Sequence, residues 1–571
     1  METTATRQPV LQMRGITKRF GSVLANNRVD LDVYPGEILA ILGENGCGKT
    51  TLMNMIAGIY FPDEGQVLIN GREVVIASPK DAFAHGIGMI HQHFKLVDLF
   101  TAAENIVLGV KEKGSYNLKN VNVRVSEIAE KYGFHIDPAK KIYDMSVSEK
   151  QTVEIIKVLY RGADILILDE PTAVLTPQEI ERLFQVLRRM RQDGKSIIII
   201  THKLNEVLEV SDRVAILRRG EHIATVNTAD ATESSLTEMM VGKKVDLNIE
   251  RTEPQNAMPR LLVKGLTLDD AEGLHVLKDI TFNANGGEIL GIAGIAGSGQ
   301  RELLESIAGL QPAVQGEIIF NNPKKDKPVT FFHKSMKRVQ ELAGQGAFHD
   351  GQGREVSFRG MKKSAVRKWV ESGDVLFKED EVINLRHKTP LQIRELGVRL
   401  SFVPEDRLGM GLVGSMGITD NMLLRSYRKG RAGFLNRKKP RELADEIIEE
   451  LGVVTPGVNT PVRRLSGGNV QKVLVGREIA FTPKVLMAAY PVRGLDINSS
   501  YTIYRLLNAQ KENGVAVIFV GEDLDVLLAL CDRILVMNAG AVAGVVDARH
   551  ATKEEIGLMM TKTERARKEE A

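Results

Sequence analysis

The sequence has 571 residues, enough for several domains, and its 43% hydrophobic and 26% charged residues are ordinary for a globular protein. A formal net charge of +3 excludes a strongly basic surface of the kind that binds nucleic acid, so no nucleic-acid partner is expected. Two cysteines exclude a disulfide framework, and no apolar run approaches the ~20 residues that span a bilayer.

The first informative element is a strand-like run, "EILAIL" (37–42), followed by a glycine loop and a segment with helical spacing, "TTLMNMIAGI". The loop matches GxxxxGK[ST], in which glycines let backbone N–H groups surround phosphate oxygens. Lys49 would reach the β- and γ-phosphates and Thr50 would coordinate Mg²⁺. A chance glycine loop is the alternative, but the flanking strand and helix favour a phosphate site. The expected nucleotide-binding residues here are Gly43, Glu44, Asn45, Gly46, Cys47, Gly48, Lys49, Thr50 and Thr51.

Further polar residues follow strand-like runs along the first half. Gln92 lies in "MIHQHFKLVDLF", and its place in the series predicts contact with Mg²⁺ and the attacking water. "ILILDEPT" ends in Asp169, a candidate Mg²⁺ ligand, and Glu170, a candidate for polarising that water. His202 ends "SIIIITH" and is predicted to contact the γ-phosphate, although an isolated histidine at a strand end is more often structural.

The second half repeats the first. Gly36 corresponds to Gly287 with an offset of 251, and Ser146 corresponds to Ser466 with an offset of 320. The second copy therefore has 69 extra residues, which are predicted to form a basic, glycine-rich insertion at about 321–388. A solvated surface elaboration is the simplest interpretation of it, and a regulatory or membrane-surface contact is the alternative.

The predicted organisation is an α/β protein with a first domain at 1–245, a linker at 246–260 and a second domain at 261–571. The linker is inferred from the polar, proline-containing stretch "VGKKVDLNIERTEPQNAMPR".

Together these motifs resemble the ATP-binding cassette family: a P-loop, a Q-loop glutamine, an "LSGGQ"-like signature, a "DEPT" segment and a switch histidine. The resemblance covers nearly the whole chain outside 321–388. It implies two tandem P-loop NTPase nucleotide-binding domains, each with a parallel α/β core, an antiparallel β subdomain and a helical subdomain. It also implies that Phe20 stacks on adenine, although a core or surface phenylalanine is the alternative.

In that family two cassettes close face to face, and each ATP lies between the P-loop of one and the signature of the other. The first composite site would join Lys49, Thr50, Gln92, Asp169, Glu170 and His202 to the second signature. Glycines at the start of a helix-like segment, together with a serine hydroxyl, would donate to the γ-phosphate. That signature consists of Leu465, Ser466, Gly467, Gly468 and Asn469.

The second composite site lacks the chemical groups of the first, and the losses should abolish hydrolysis there. The replaced positions are Gln300 for the lysine, Arg301 for the hydroxyl residue, Ala489 for the metal aspartate, Tyr490 for the catalytic glutamate, Glu522 for the histidine, Ala271 for the adenine aromatic and Ser148 for a signature glycine.

The tandem arrangement with a degenerate second half resembles the ATPase subunits of ribose-type and nucleoside importers, as do "FVPEDRLGMGLV" and "LSGGNVQKV". The resemblance implies an ATPase with ATP and Mg²⁺ as cofactors, at the cytoplasmic face of the membrane. Its partners would be two integral-membrane permease subunits and, indirectly, an extracytoplasmic substrate-binding protein or lipoprotein.

Two other classes stay open at this point. One is a tandem-cassette translation factor acting at the ribosome, which usually keeps two working sites and a long charged linker. The other is a nucleotide-dependent regulator that does not hydrolyse, against which Glu170 and His202 argue.

Overall fold

The computed structural model divides by contacts into two units: unit 1 comprises 1–249, 492–503 and 552–571, and unit 2 comprises 250–491 and 504–551. Within these units the structure describes residues 8–21, 23–92, 94–110, 118–173, 175–244, 247–254, 257–270, 272–295, 297–322, 327–328, 348–350, 354, 356–358, 360–372, 375–377, 381–402, 411–424, 427, 435–479, 483–493 and 495–561.

Two sheets organise unit 1. Its strands are β1 (Leu11–Phe20), β2 (Val23–Val33), β3 (Ile38–Leu42), β4 (Glu64–Ile69), β5 (Arg72–Val74), β6 (Ile87–Ile90), β7 (Ile165–Asp169), β8 (Ser196–Thr201), β9 (Arg213–Arg218) and β10 (Glu221–Asn227). The central sheet has the order β10-β9-β3-β8-β7-β6 and is parallel except for β10. Every residue of β3, β7 and β8 is buried, as expected for parallel strands covered on both faces. The other sheet is antiparallel, β2-β1-β4-β5.

Helices cover the central sheet of unit 1 and form a separate helical subdomain. They are α1 (Lys49–Ile56), α2 (Pro79–Ala84), α3 (Ala102–Val107), α4 (Leu118–Tyr132), α5 (Val147–Tyr160), α6 (Pro177–Gln192), α7 (Leu204–Val210) and α8 (Glu233–Val241). Helices α3, α4 and α5 share a hydrophobic cluster that includes Ile106, Val125 and Ile156. This cluster makes the helical subdomain a packed body of its own.

The same sheets recur in unit 2. Its strands are β11 (Met258–Asp269), β12 (His275–Gly286), β13 (Glu288–Gly294), β14 (Gln315–Asn322), β15 (Lys327–Pro328), β16 (Phe348–Asp350), β17 (Val375–Phe377), β18 (Glu381–Asn384), β19 (Val398–Phe402), β20 (Val485–Ala489), β21 (Ala516–Val520), β22 (Arg533–Asn538) and β23 (Ala541–Asp547). The central order β19-β20-β21-β13-β22-β23 and the antiparallel order β12-β11-β14-β18 match unit 1 strand for strand.

Helices in the second half of the chain also follow the first half. They are α9 (Gln300–Ile307), α10 (Lys363–Glu371), α11 (Pro390–Leu396), α12 (Ile418–Leu423), α13 (Lys438–Glu450), α14 (Gly467–Ile479), α15 (Ile497–Glu512), α16 (Leu524–Leu530) and α17 (Lys553–Thr561). Among the described residues, none of the helices in either half is both long enough and apolar enough to cross a bilayer.

The described residues of the insertion, which was predicted as a solvated surface elaboration, include a small sheet and buried aromatic side chains. Strands β15, β17 and β16 form a sheet of their own beside α10. Phe348 and Phe358 are buried, with ring centroids 5.0 Å apart, and Trp369 packs edge-on to Phe358. These aromatic contacts supply a hydrophobic core that the weak periodicity of the sequence does not reveal.

The end of the predicted insertion belongs to the cassette. Strand β18, at 381–384, pairs with β14 as β5 pairs with β4, so the added subdomain lies between Asn322 and Glu381. The four residues "EVIN" are too short to give a periodic strand signal of their own, which explains the difference from the predicted limit of 388.

The predicted linker is partly a component of unit 2. Asn508 donates to the carbonyl of Glu250, Arg251 donates to the carbonyls of Leu528 and Cys531, and Lys511 donates to the carbonyl of Thr252. Strand β11 already begins at 258. The segment 250–253 is therefore fixed by side-chain hydrogen bonds that a polar sequence does not reveal.

The C-terminal helix groups with unit 1, although the sequence assigned it to the second domain. Gln178 on α6 donates through Nε2 to the carbonyl of Glu554 on α17 at 3.0 Å. A side chain at Gly557 would collide with Gln178, so this glycine allows the close approach of the two helices.

Candidate active site

The phosphate loop of the first half connects the buried strand β3 to α1. Gly48 has φ +98°, and a Cβ there would lie 2.3 Å from the carbonyl oxygen of Ala25. Gly46 has φ +81°. These backbone angles and the close approach require glycine, so the loop can curl with its N–H groups towards one point. The structure thus brings all nine predicted residues, 43–51, into one loop and helix start.

Lys49 is buried inside this loop. Its Nζ donates to the carbonyl of Gly43 at 2.6 Å and to that of Glu44 at 3.1 Å. The loop itself therefore holds an ammonium at its centre, where the phosphate oxygens of a nucleotide would lie.

Asp169, at the end of β7, lies beside the first turn of α1. Thr50 Oγ1 donates to Asp169 Oδ1 at 3.4 Å. Burial raises the pKa of Asp169 to about 6; the Thr50 hydroxyl and Lys49 oppose this, and Glu170 adds to it. A buried carboxyl beside a hydroxyl is a set of hard oxygen donors, which is the chemistry that suits Mg²⁺.

Glu170 and His202 form a pair at the adjoining strand ends. His202 Nδ1 lies 2.8 Å from Glu170 Oε1. Glu170 has a positive φ of 48°, which is strained for a side chain of this type, and its N–H donates to the carbonyl of Ile200 at 2.9 Å. Among the described residues, Glu170 Oε2 is a buried oxygen without a hydrogen-bond partner. This arrangement leaves one carboxylate oxygen for a water molecule.

Gln92 and Phe20 have less defined surroundings. Gln92 is exposed and follows β6, the neighbour of β7, so it emerges at the same edge of the sheet as Asp169. Phe20 ends β1, is 43% exposed, and meets Tyr60 edge-on with ring centroids 5.2 Å apart. Lys18 Nζ lies over the Phe20 ring, 5.6 Å from its centroid, and the proposed adenine contact stays a prediction.

The second signature begins helix α14 in unit 2. Ser466 is exposed, and its Oγ accepts a hydrogen bond from Asn469 Nδ2 at 2.9 Å. A Cβ added at Gly468 would meet no atom within 4 Å, so the packing of this chain does not demand glycine there. The open space beside a helix start and a hydroxyl is suited to an incoming phosphate. Leu465 precedes this turn as the residue that closes a 3₁₀ turn.

The first signature is closed by its own side chains. Ser146 and Glu149 form a capping box on α5, with the Ser146 N–H donating to the carboxylate of Glu149 at 2.7 Å. Lys140 also pairs with Glu149 at 2.7 Å. Burial alone would raise the pKa of Glu149, but Lys140 and the Ser146 N–H together hold it below its usual value. A carboxylate thus covers the helix start that would have to receive the γ-phosphate.

The phosphate loop of the second half retains the backbone shape of the first loop but lacks the positive charge of its lysine. Gln300 Nε2 donates to the carbonyl of Ile295 at 3.2 Å, and the guanidinium of Arg301 is paired with Glu305 at 2.7 Å.

The other positions of the second site also lack the groups of the first. Ala489, which corresponds to Asp169, is buried, and Tyr490, which corresponds to Glu170, has φ +51°. Glu522 is exposed and Ser148 half-buried, while Ala271 lies outside the described residues.

Comparison with known proteins assigns the family. The model of the family described as "ABC transporter" matches residues 26–173 and 277–491, one region in each half. The chain belongs to the ABC transporter family. It is 38% identical to the nucleoside import ATP-binding protein NupA of Lactococcus lactis subsp. cremoris, over 97% of this chain and 98% of that protein. It is 38% identical to the guanosine import ATP-binding protein NupO of Bacillus subtilis, over 96% and 97%. It is 35% identical to the ribose import ATP-binding protein RbsA 1 of Rubrobacter xylanophilus, over 98% and 99%.

As an ABC protein, the chain carries two tandem ATP-binding cassettes of the ATPase class, and the predicted fold and enzyme class are confirmed. Each cassette has the expected parallel core and antiparallel sheet. The roles of individual residues and the domain limits stay predictions.

Two glutamines of the cassettes were missed by sequence reasoning. Gln151 Nε2 donates to the carbonyl of Pro171 at 2.7 Å, and Gln471 donates to that of Pro491 at 3.1 Å. Each joins the helix after a signature to the turn after β7 or β20. The available signal was that both copies hold glutamine at positions separated by the same offset of 320.

Proposed function

We propose that this ABC protein hydrolyses ATP at one composite site, formed by the first phosphate loop and the second signature, and so energises import of a nucleoside. The observation that carries the proposal is the Glu170–His202 pair at 2.8 Å, beside Lys49 and Asp169 on one sheet edge. NupA and NupO, named for nucleoside and guanosine import, support the nucleoside class, and RbsA 1 makes a simple sugar the alternative.

The residues divide the chemistry of hydrolysis among them. Glu170 Oε2 orients and polarises the attacking water, and His202 holds Glu170 and contacts the γ-phosphate. Lys49 and the N–H groups of the loop stabilise charge on the β- and γ-phosphates, as do Ser466 and the start of α14 from the other side.

Thr50, Asp169 and Gln92 would hold Mg²⁺, since their oxygen atoms are the donors that this ion prefers. When bound, the ion would neutralise charge on the phosphates. The raised pKa of Asp169, about 6, fits a carboxyl that is built to face a cation.

The second site binds nucleotide weakly and does not turn it over. Gln300 supplies no charge, and Arg301 is engaged by Glu305 at 2.7 Å. Ala489 offers no metal ligand and Tyr490 no base. Glu149 places a negative charge over the first signature, where it would repel a phosphate.

The proposed partners are two integral-membrane permease subunits, with an extracytoplasmic binding protein acting through them, and the protein would lie at the cytoplasmic face of the membrane. Large apolar side chains before α3 are exposed: Val97 by 39%, Leu99 by 74% and Phe100 by 38%. Buried Asn105 fixes their loop, since its side chain bonds both the N–H and the carbonyl of Val97. A fixed, exposed apolar loop suits a protein partner.

A matched pair of variants tests the single-site proposal. Glu170→Gln removes the carboxylate, and we expect phosphate release by the purified full-length chain to fall by at least about 100-fold. Glu522→Gln makes the same chemical change in the second half, at the position that corresponds to His202, and should leave the rate unchanged. Retention of about half the rate in Glu170→Gln would show that the second site also hydrolyses ATP.

A transport assay tests the proposed cargo class. Cells lacking this chain should lose uptake of a labelled purine nucleoside and regain it on complementation with the wild-type chain but not with Glu170→Gln. Loss of labelled ribose uptake with normal nucleoside uptake would assign the sugar alternative.

A further inference from the structure

Behind the catalytic pair, a second hydrogen bond joins the same two segments. Thr172 Oγ1 donates to Glu206 Oε2 at 2.6 Å, and Thr172 is 1% exposed. Thr172 lies in the turn that begins with Glu170, and Glu206 lies on α7, the helix that follows His202. The bond therefore connects the turn that contains Glu170 to the helix that follows His202.

The surroundings make this bond strong and specific. Thr172 and Glu206 border a narrow space whose other walls are largely apolar, formed by Ala40, Phe184, Ile199, Thr201, Val207 and Val210. A hydroxyl bonded to a carboxylate at 2.6 Å is of the charge-assisted kind, and a low local dielectric strengthens it further. The other carboxylate oxygen, Glu206 Oε1, lies 3.0 Å from Lys203 Nζ, which compensates the charge.

Other hydrogen bonds already hold the backbone of this turn, which is strained at the catalytic residue. Glu170 has φ +48°, and its N–H is bonded to the carbonyl of Ile200. Gln151 holds the following carbonyl, that of Pro171, at 2.7 Å. Thr172 is the next residue, and its hydrogen bond to Glu206 joins the turn to helix α7, which follows His202.

We propose that Thr172 and Glu206 are positioning residues for ATP hydrolysis, whose bond makes the turn of Glu170 and helix α7 move as one body. Through this coupling the bond maintains the 2.8 Å contact between Glu170 and His202. The carboxylate then faces the attacking water in one geometry, and small displacements of such groups are costly for rate.

The second half of the chain supplies an internal comparison. By the offset of 320, Thr172 corresponds to Val492 and Glu206 to Val526. Both partners are valine in the half that has also lost the glutamate and the histidine. Yet Tyr490 keeps φ +51° and donates to the carbonyl of Val520 at 2.9 Å, as Glu170 does to Ile200. The strained turn therefore forms without this bond. The bond is present in the half that has the catalytic residues and absent from the half that has lost them.

The inference rests on the proposed hydrolysis at Glu170, so the experiment separates the two. Phosphate release and the KM for ATP are measured on the full-length wild type, Thr172→Val, Thr172→Ser, Glu206→Val and the double variant Thr172→Val/Glu206→Val. We expect kcat to fall on the order of tenfold or more in Thr172→Val with KM within about twofold, and Thr172→Ser to stay near wild type. The double variant should be no slower than Glu206→Val alone.

A matched control and a second measurement complete the test. Val492→Thr, which adds the hydroxyl to the second half, should leave kcat unchanged. Amide hydrogen exchange across 169–173, measured without nucleotide, should accelerate in Thr172→Val while the melting temperature changes by less than about 2 °C.

Three outcomes would overturn the inference: an unchanged kcat in Thr172→Val, additive losses in the double variant, or a fall in kcat matched by a loss of melting temperature in Thr172→Val. Because Glu170→Gln reports separately on the site itself, an inactive Glu170→Gln with a fully active Thr172→Val would sink the inference and leave the proposed function intact.

Discussion

At the residue scale, Gln300 keeps one of the two tasks of the lysine to which it corresponds. Lys49 Nζ and Gln300 Nε2 each donate to the same loop carbonyl, that of Glu44 in one copy and Ile295 in the other. The amide preserves the shape of the loop, whereas the positive charge for phosphate is absent. Shape and charge are therefore separable contributions of one side chain, and the second half retains only shape.

Asp169 gives a pH-dependent prediction. Its pKa is raised to about 6, chiefly by burial, so the folded protein holds this proton more tightly than the unfolded chain does. The stabilisation is full below about pH 4 and is lost as the pH rises through about 6. Without Mg²⁺ at pH 8, Asp169→Asn should therefore melt at least about 2 °C above wild type, while losing ATP hydrolysis.

The control for this prediction is the same comparison at about pH 4, where wild-type Asp169 is protonated and the two proteins should melt together. An equal difference in melting temperature at both pH values would show that packing, and not ionisation, separates Asp169 from asparagine.

At the element scale, the two signature helices predict opposite effects of one substitution. Ser466→Ala removes a hydroxyl that faces solvent, so kcat should fall at least about tenfold without a change in melting temperature. Ser146→Ala removes a helix cap, so the free energy of unfolding should fall by about 1 kcal/mol with kcat unchanged. A loss of activity in Ser146→Ala would contradict the assignment of the first signature as structural.

The junction at 250–253 predicts a second contrast. Lys511 and Asp532, 2.8 Å apart, are nearly fully buried beneath this segment, whereas the corresponding pair Arg191–Asp212 is about one-third exposed. Lys511→Ala removes the nearest cation from buried Asp532 and leaves only the longer ion pair with Arg549, at 3.8 Å, so it should cost about 3 kcal/mol in urea unfolding. Arg191→Ala should cost no more than about 1 kcal/mol. Equal costs would mean that 250–253 does not shield the Lys511 pair in solution.

Sequence reasoning predicted the elements whose signal is local. The loop at 43–50 and the strand end at Asp169–Glu170 are contiguous, and their glycines and apolar runs follow directly from the geometry required. The Thr172–Glu206 bond joins residues 34 positions apart, and no local pattern marks it. Strand β18 and the anchored segment 250–253 were missed because pairing and side-chain hydrogen bonds, rather than periodicity, define them.

At the scale of the whole molecule, the added subdomain should be removable. In unit 1 the hairpin between β4 and β5 turns through Asn70 and Gly71, both with positive φ, as two-residue hairpin turns require. Replacing 323–380 by Asn-Gly should join β14 directly to β18 and leave ATP affinity and kcat within about twofold of wild type.

The limits of the deletion decide its outcome. Removing 321–388 instead would also remove β18, the edge strand that pairs with β14, and should give an unstable or aggregating protein. Loss of ATP hydrolysis in the shorter deletion, with an unchanged melting temperature, would show that the subdomain contributes to turnover.

Tyr490 has a final consequence for the whole chain. A left-handed backbone angle is unfavourable for tyrosine, yet Tyr490 adopts φ +51° in the strand-end turn that corresponds to the turn of Glu170. The duplicated half therefore retains the scaffold of a working centre after its reactive groups are gone. Restoring catalytic groups to the second half should therefore require side-chain substitutions only, beginning at positions 300, 301, 489, 490 and 522, without redesign of the backbone.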